Sequence, residues 1–240
     1  MEEARVLSIE TALLAETYVI VPAYNESEVI ADVLSKIGTI FSNIVCVDDG
    51  SSDGTSEKAK NSRCHNLSVL RHPVNVGQGG ALETGIQYAY NRGAKFFITM
   101  DADGQHRPED AFEMIHFLQK ENVDMVLGSR FLRNTSSKIP LFKKFILFLG
   151  TLITKWIHRL DLTDTHNGLR VFNRKTAAVL RFNHIDMAHA SEVYDIINRN
   201  GLKYKEYPVT VEYTEYSKKK GQSTTNALNI LIDFLLRRGG

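Results

Sequence analysis

The sequence predicts an α/β fold built around a mostly parallel central sheet flanked by helices. Short apolar runs alternate with helical patterns through the first half of the chain, which is typical of strand–helix–strand units. Those runs are apolar throughout, as expected of strands that helices cover on both faces. The length of 240 residues suits one domain, and neither an internal repeat nor an interdomain linker divides it.

The first half of the chain is predicted to alternate strands and helices. The strands cover residues 18–22, 43–47, 67–71, 96–100 and 125–128, and the helices cover residues 26–37, 55–61, 80–92 and 108–120. Pro108 suits the first turn of its helix, where a missing N–H is tolerated. Glu109 and Asp110 follow it, and negative charge is favourable beside a helix amino end.

The second half is less regular. Its predicted elements are a long helix over 141–159, a short strand over 168–173, a helix over 190–200, a strand pair or one bent strand over 204–213, and a terminal amphipathic helix over 225–238 within a segment 225–240. Residues 217–223 form a basic loop that contains glycine. Residues 1–17 form a leader segment that lacks the basic start and apolar centre of a secretory signal.

The composition argues against several classes of protein. Lysine plus arginine (29) nearly balance aspartate plus glutamate (28), so no global basic field points to nucleic acid. No stretch approaches the roughly 20 apolar residues of a spanning helix. Cys46 lies in an apolar strand and is expected to pack there, and with Cys64 it suggests neither a disulfide scaffold nor a zinc site. These features favour a cytoplasmic protein.

Two carboxylates follow the predicted strand at 96–100. Asp101 and Asp103 are one residue apart, at the sheet edge where open α/β sheets bind ligands. Two neighbouring carboxylates disfavour joint ionisation unless a positive partner joins them. Gln105 can add an oxygen, and this donor set suits Mg²⁺ or Mn²⁺ bridging to a substrate diphosphate. His106 is interpreted as a polar loop residue, since the oxygen donors already suit the metal.

Polar residues also end the first two strands. Tyr24 and Glu26 follow Pro22, and they suit either a nucleotide or a strand stop with a helix cap at Asn25. Asp48 and Asp49 follow Val47 and are expected to accept hydrogen bonds from a base and a ribose. Residues 51–55 are interpreted as a turn that caps the next helix.

Three further segments are candidates for contacts with a substrate. Residues 75–81 form a Gly-rich loop, expected to bring backbone close to the donor without a catalytic side chain. Arg130 follows the end of a predicted strand, and its planar guanidinium is interpreted as a phosphate ligand rather than as half of a surface salt bridge. Residues 164–168 form a polar turn that can face a sugar, and His166 in it is interpreted as a loop residue.

The predicted helix at 141–159 combines many apolar side chains with Lys143, Lys144, Lys155 and Trp156. That mixture suits the interface of a membrane, although a core or dimer helix is the alternative. Residues 218–220 and 237–238 are basic and would add attraction to anionic lipid, or they are simply solvated charges.

Four segments, taken in order, resemble the family 2 glycosyltransferases of the GT-A fold. They are V-P-A-Y-N-E at 21–26, V-D-D-G-S-S-D-G-T at 47–55, D-A-D-G-Q-H at 101–106 and G-S-R at 128–130. More narrowly, the chain is similar to polyprenyl-phosphate and dolichyl-phosphate sugar transferases over roughly residues 18–225. The departures are K-K-K-G-Q-S at 218–223, where the subfamily often has R-x-x-G-x-S, and N-G-L-R at 167–170, where it often has S-G-F-R.

The resemblance implies a role for each matched residue. The nucleotide-sugar would be bound by Pro22, Tyr24, Glu26, Val47, Asp48, Asp49, Asp101, Ala102, Asp103 and Gln105. Asp101, Asp103 and Gln105 would hold the metal. Arg130, Lys143 or Lys144, and Lys218 would bind the acceptor phosphate, and Asp103, Arg130 and Lys218 are expected to carry the reaction.

The implied activity is inverting transfer of a hexose or N-acetylhexosamine from a UDP- or GDP-sugar to a polyprenyl (undecaprenyl or dolichyl) phosphate. The enzyme would be a single domain, peripheral on the cytoplasmic face of a membrane, as a possible homo-oligomer or with a membrane partner subunit. One alternative is a glycosyltransferase that extends a cell-surface polysaccharide or other glycan, with Glu192 as a candidate carboxylate base. Another is a non-catalytic subunit that binds nucleotide-sugars.

Overall fold

The computed structural model describes residues 10–64, 66–132, 160–165, 167–182, 189–212 and 216, with the backbone alone for 189–191. The helices predicted over 141–159 and 225–238 and the loop predicted over 217–223 lie outside this set. So do Lys143, Lys144, His166 and Lys218. Within the described ranges, no helix is both long and apolar enough to cross a membrane.

Strands and helices alternate along the described chain. The strands are β1 (Thr17–Ala23), β2 (Asn43–Asp48), β3 (Leu67–Arg71), β4 (Phe96–Thr99), β5 (Met125–Ser129), β6 (Arg170–Asn173) and β7 (Tyr204–Pro208). The helices are α1 (Ile30–Ile37), α2 (Thr55–Lys60), α3 (Gln78–Asn91), α4 (Pro108–Glu121), α5 (Arg174–Val179) and α6 (His189–Arg199). The α/β prediction is confirmed.

The strands form one sheet in the order β3-β2-β1-β4-β6-β5-β7. Pairing is parallel between β1 and β2, β1 and β4, β2 and β3, and β5 and β7. Strand β6 runs antiparallel to both β4 and β5. A mostly parallel sheet is therefore confirmed. The reversed direction of β6 was not predicted, because an apolar run does not reveal the direction of a strand.

Both faces of the sheet are buried. On β1, Val19 and Val21 belong to one apolar cluster and Ile20 to the other, as the two-residue period of a strand requires. Helix α3 approaches β1 closely at Gly85, where a Cβ would lie 2.5 Å from the Cγ2 atom of Ile20. Cys46 is buried in β2 as predicted, and burial, followed by the charge of Asp48, raises the pKa of its thiol to about 12.

Several predicted boundaries are wrong. Helix α1 begins at Ile30 rather than at residue 26, because the carbonyl of Glu26 accepts hydrogen bonds from the N–H groups of Val29 (3.1 Å) and Ile30 (2.9 Å) in a preceding turn. Helix α5 was not predicted, although the Asn173 side chain caps it by accepting from the Thr176 N–H at 3.0 Å.

The predicted strand pair or bent strand over 204–213 is in fact one strand that ends at Pro208. An isolated bridge follows between Val211 and His106, and the Glu212 N–H donates to the carbonyl of Gln105 at 2.8 Å. The chain after β7 therefore supports the loop that carries Asp101 and Asp103.

Candidate active site

The strand order reverses direction between β1 and β4. Strands β1 and β4 are neighbours, while β2 and β3 lie beyond β1 and β6 lies beyond β4. In open α/β sheets, such a reversal of strand order opens a crevice beyond the carboxyl ends of the strands, where ligands bind. Residues 24–26 follow β1 at this edge, and residues 101–103 follow β4. The fold thus brings two separately predicted segments to one place.

Asp101 is held by a side chain from the Gly-rich loop region and by one from its own loop. Its Oδ1 atom accepts a hydrogen bond from Nε2 of Gln78 at 2.9 Å, and its Oδ2 atom lies 3.1 Å from Nε2 of His106. The Asp101 side chain keeps 34% of its surface exposed, whereas the His106 side chain keeps 5%. The carboxylate is therefore oriented by its neighbours and still accessible from the crevice.

Gly168 lies directly against the Asp101 carboxylate. A Cβ built on Gly168 would lie 2.3 Å from Oδ2 of Asp101 and 2.7 Å from Oδ1. The Gly168 carbonyl accepts a hydrogen bond from Oγ1 of Thr99 at 2.9 Å, which ties the turn to the end of β4. Only a residue without a side chain fits between this turn and the carboxylate.

Asp103 is bound mainly within its own loop. Its two oxygens accept from the N–H of Gln105 at 3.0 Å and from Nε2 of Gln105 at 2.7 Å. Burial, followed by the charge of Asp101, raises the pKa of Asp103, although the Gln105 N–H and His106 act in the opposite direction. Two carboxylates that disfavour each other's ionisation in this way are a suitable environment for a cation.

The oxygen donors of these residues suit a hard divalent ion whose remaining ligands come from a substrate. No group of three or more His, Cys, Asp or Glu residues that could hold a metal occurs within the described part of the chain. Asp101 and Asp103 could supply carboxylate oxygens, and Gln105 could supply an amide oxygen. Mg²⁺ commonly uses one or two carboxylates together with substrate phosphates, so these residues meet its requirement without a third acid.

The residues predicted to bind the nucleoside differ in accessibility. Tyr24 is 47% exposed, whereas Glu26 is largely buried and its Oε2 atom accepts a hydrogen bond from the Tyr216 hydroxyl at 2.8 Å. Pro22, Val47 and Ala102 are buried in the packing of the sheet edge. Tyr24 is thus open to a ligand, whereas Glu26 already has a protein partner.

The turn at residues 51–55 supports the loop after β1. The Asn25 N–H donates to Oγ of Ser51 at 2.9 Å, and the Glu26 N–H donates to Oγ1 of Thr55 at 2.8 Å. Asp53 accepts from the N–H of Ser27 at 3.0 Å. The structure agrees with the interpretation of this segment as a turn and adds that it positions Glu26.

Asp48 and Asp49 are both buried, and protein groups already bind their oxygens. Asp48 accepts from the Ser51 N–H at 2.9 Å and from the Ser56 hydroxyl, and it lies 3.6 Å from Nε of Arg71. Asp49 accepts from three donors, which are the Val76 N–H at 2.9 Å, the Gly77 N–H at 2.7 Å and Nδ1 of His72 at 2.8 Å. The geometry favours a supporting role for Asp48, while Asp49 fixes the Gly-rich loop.

Arg130 takes part in a buried ion pair. Its Nε and Nη2 atoms donate to the two oxygens of Asp164 at 2.6 and 2.7 Å, and its side chain is 12% exposed. Arg130 therefore forms a salt bridge, the alternative to phosphate binding, but the salt bridge is buried rather than at the surface. Binding of a phosphate by Arg130 stays a prediction, and Arg130 would have to bind the phosphate while it is also paired with Asp164.

Glu206 on β7 anchors the turn that carries Asp164. It accepts from the N–H groups of Thr163 at 2.8 Å and Asp164 at 3.0 Å. Burial raises the pKa of Glu206, against the effect of these hydrogen bonds, and the charge of Asp164 raises it further. The turn predicted to face the sugar is therefore held to the sheet by buried polar contacts.

Sequence reasoning missed Gln78, Gly168 and Tyr216. The Gly-rich loop was expected to contribute backbone alone, yet the Gln78 side chain reaches Asp101. His106 was interpreted as a loop residue, and it also contacts Asp101. The Gln78–Asp101 and Tyr216–Glu26 contacts join segments that only the folded chain brings together, whereas His106 lies in the same loop as Asp101. The sequence signal for Gln78 was its position in the Gly-rich loop.

Comparisons with known proteins agree with this geometry. The family model "Glycosyl transferase family 2" matches residues 18–181. A UDP-N-acetylglucosamine–dolichyl-phosphate N-acetylglucosaminyltransferase of Methanococcus voltae is 32% identical over 93% of this chain and 96% of its own length. An undecaprenyl-phosphate mannosyltransferase of Micrococcus luteus is 29% identical over 84% of this chain and 85% of its own length.

A solved structure has a similar fold. Glucosyl-3-phosphoglycerate synthase from Mycobacterium tuberculosis, crystallised with Mn²⁺ and UDP-glucose, matches 95% of this chain and 83% of its own with a TM-score of 0.70. Its sequence identity of 18% means that the likeness concerns the fold alone.

Proposed function

Because this chain belongs to glycosyl transferase family 2 and has the GT-A fold, we propose that it transfers a sugar from a nucleoside diphosphate to a polyprenyl phosphate. The reaction would depend on Mg²⁺ or Mn²⁺, invert the anomeric centre and occur at a membrane surface, with the whole chain acting as one domain. Relatives whose names specify dolichyl phosphate or undecaprenyl phosphate as acceptor support this substrate class.

The observation that carries the proposal is the position of the two carboxylates. Asp101 and Asp103 lie at the crevice where the strand order reverses, beside the loop that carries Tyr24 and Glu26. A nucleoside on the β1 side and a diphosphate on the β4 side would fit this arrangement. Asp101 is oriented from two directions, as expected of a group that must keep a fixed geometry.

The proposed metal residues are Asp101, Asp103 and the amide oxygen of Gln105. When bound, the ion would supply Lewis-acid stabilisation of the charge that develops on the departing nucleoside diphosphate. Burial, followed by the charge of Asp101, raises the pKa of Asp103, and a bound cation would offset both effects.

The acceptor needs little acid–base help from the protein. A phosphate monoester is largely ionised near neutral pH, so one of its oxygens can attack the anomeric carbon directly. The new carbon–oxygen bond forms as the bond to the diphosphate breaks, and the diphosphate leaves with the electron pair. The protein would contribute mainly by positioning and by electrostatic stabilisation.

Cationic side chains are proposed to hold the acceptor phosphate. Arg130 is one candidate, with its fork positioned by Asp164, and Lys143 or Lys144 and Lys218 are the others. The segment 141–159 would lie in the membrane interface and bring the lipid phosphate to the crevice. The enzyme would act on the cytoplasmic face, where nucleotide-sugars are made.

A donor screen tests the proposal directly. Purified protein is incubated with Mn²⁺, a short polyprenyl phosphate and each of several UDP- and GDP-sugars, starting with UDP-N-acetylglucosamine because of the dolichyl-phosphate relative. Formation of a lipid-linked sugar, lost in Asp103→Ala and in chelator, is the expected result. Transfer to free saccharides alone would favour glycan extension instead, and nucleotide binding without any turnover would favour a non-catalytic subunit.

A further inference from the structure

Gln78 joins two parts of the proposed donor site that different strands supply. It is the first residue of α3, and its amide nitrogen donates to Asp101, which follows β4. The loop that leads to Gln78 is fixed by Asp49, which follows β2. Strand β1 lies between β2 and β4 in the sheet. The segment 76–78 therefore spans the end of β1, across the mouth of the crevice.

The Asp49 end of this segment is well fixed. Asp49 accepts from the N–H groups of Val76 and Gly77, and its Oδ1 atom also contacts His72. The other ring nitrogen of His72 lies 3.0 Å from Oγ1 of Thr84 in α3. The loop and the first turns of the helix are thus held as one piece, so the position of the Gln78 backbone depends on Asp49.

The other end of the segment reaches a carboxylate that the metal would use. Gln78 binds Oδ1 of Asp101, and His106 lies at Oδ2, so the plane of the carboxylate is set by two neighbours. Gln78 is itself exposed, which means that its side chain adds little to the packing of the fold. An exposed side chain aimed at a site carboxylate is better explained by the site than by stability.

We propose that Gln78 is a positioning residue that couples nucleotide binding to metal binding. Contacts of a nucleoside with the β1 and β2 side would steady the segment 76–78, and through the Gln78 amide they would steady Asp101. The inference rests on the proposed function, since it assumes that a nucleotide and a cation share this crevice. It adds that a neutral amide is needed at residue 78, because a lysine there would compete with the cation for Asp101.

Calorimetry with nucleotide and metal tests the coupling without turnover. The affinities for UDP and for GDP are measured with and without Mn²⁺ in the wild type, Gln78→Ala and Gln78→Lys, and Mn²⁺ alone is titrated by electron paramagnetic resonance. Gln119→Ala, at an exposed glutamine on α4, serves as the matched control. Thermal unfolding of each variant verifies that it is folded.

Wild type and Gln119→Ala should bind the nucleotide more tightly when Mn²⁺ is present. In Gln78→Ala, affinity without metal should stay within about twofold, while the gain from Mn²⁺ should fall about fivefold, the effect expected for one hydrogen bond. Gln78→Lys should also weaken the binding of Mn²⁺ alone.

Equal coupling in Gln78→Ala and the wild type would overturn the role of Gln78 and leave the proposed function intact. Absence of any Mn²⁺-dependent gain in the wild type would overturn the proposed function, and the coupling role with it.

Discussion

The substitution Gly168→Ala tests most sharply whether the placement of Asp101 controls the reaction. The added Cβ would lie 2.3 Å from Oδ2 of Asp101, and ordinary contact begins at 3.4 Å, so one of the two groups must move by the difference of 1.1 Å. The Gly168 turn is tied to Thr99, whereas the Asp101 side chain can rotate. The carboxylate is therefore the group expected to move.

A displacement of this size should have a large kinetic effect. A misplacement of about 1 Å in a positioning group can reduce a rate about 100-fold, so kcat for sugar transfer should fall by about two orders of magnitude. The assay is the initial rate of lipid-linked sugar formation at saturating donor and Mn²⁺. A kcat within about threefold of the wild type would refute the reasoning, because it would show that the position of Asp101 does not limit the reaction.

Gly201→Ala is the matched control for loss of stability. Its Cβ would meet nothing within 4 Å, but the residue has a φ of +56°, a conformation that alanine adopts at a cost of about 1 kcal/mol. This variant should unfold at a lower temperature than the wild type and keep its kcat. A large loss of kcat in Gly201→Ala would mean that general destabilisation, rather than displacement of Asp101, lowers activity.

Three other perturbations test separate parts of the account. Arg130→Ala should lower the free energy of unfolding by about 3 kcal/mol, because it removes the guanidinium that neutralises the buried Asp164 carboxylate. A loss below about 1 kcal/mol in chemical denaturation would contradict the importance of the pair. Partial burial raises the pKa of Asp53, but hydrogen bonds from Thr55 and Ser27 outweigh it and bring the pKa to about 2, below the ordinary 3.8. The ionised carboxylate therefore stabilises the fold above pH 3.8, and this contribution is lost as the pH falls toward 2. The difference in melting temperature between the wild type and Asp53→Asn should shrink over that pH range. A difference that does not depend on pH would argue against the stabilising role of the Asp53 carboxylate. Phe148 is one of the apolar residues of the predicted helix at 141–159. Phe148→Glu should weaken binding to anionic vesicles in a sedimentation assay, and unchanged binding would favour a core or dimer helix over an interfacial one.

The carboxylate site was predictable because it depends on local features. An apolar run identifies β4, and the residues just past a parallel strand lie at the ligand-binding edge. Asp101 and Asp103 are therefore placed correctly by the sequence alone. The turn at 51–55 is predictable for a similar reason, since glycine, serine and aspartate define it locally.

The contacts that orient the site could not be predicted in this way. Gln78 and Asp101 are 23 residues apart, and their contact depends on how a loop crosses the end of β1. Gly168 reaches Asp101 because β6 enters the sheet antiparallel beside β4, and the direction of a strand is not written in its apolar pattern. Asp48 ends β2 and Asp49 follows it, and the partners of each acid come from segments that the fold brings to the strand end, so the sequence pair alone could not show them.

In the proposed reaction, a divalent cation binds between the carboxylates of Asp101 and Asp103 and the diphosphate of a nucleotide-sugar. The most direct measurement is anomalous diffraction from crystals grown with Mn²⁺ and the donor that the screen identifies. A manganese peak is expected within bonding distance of both carboxylates and of two phosphate oxygens. A nucleotide bound elsewhere, with no manganese between these two acids, would contradict it.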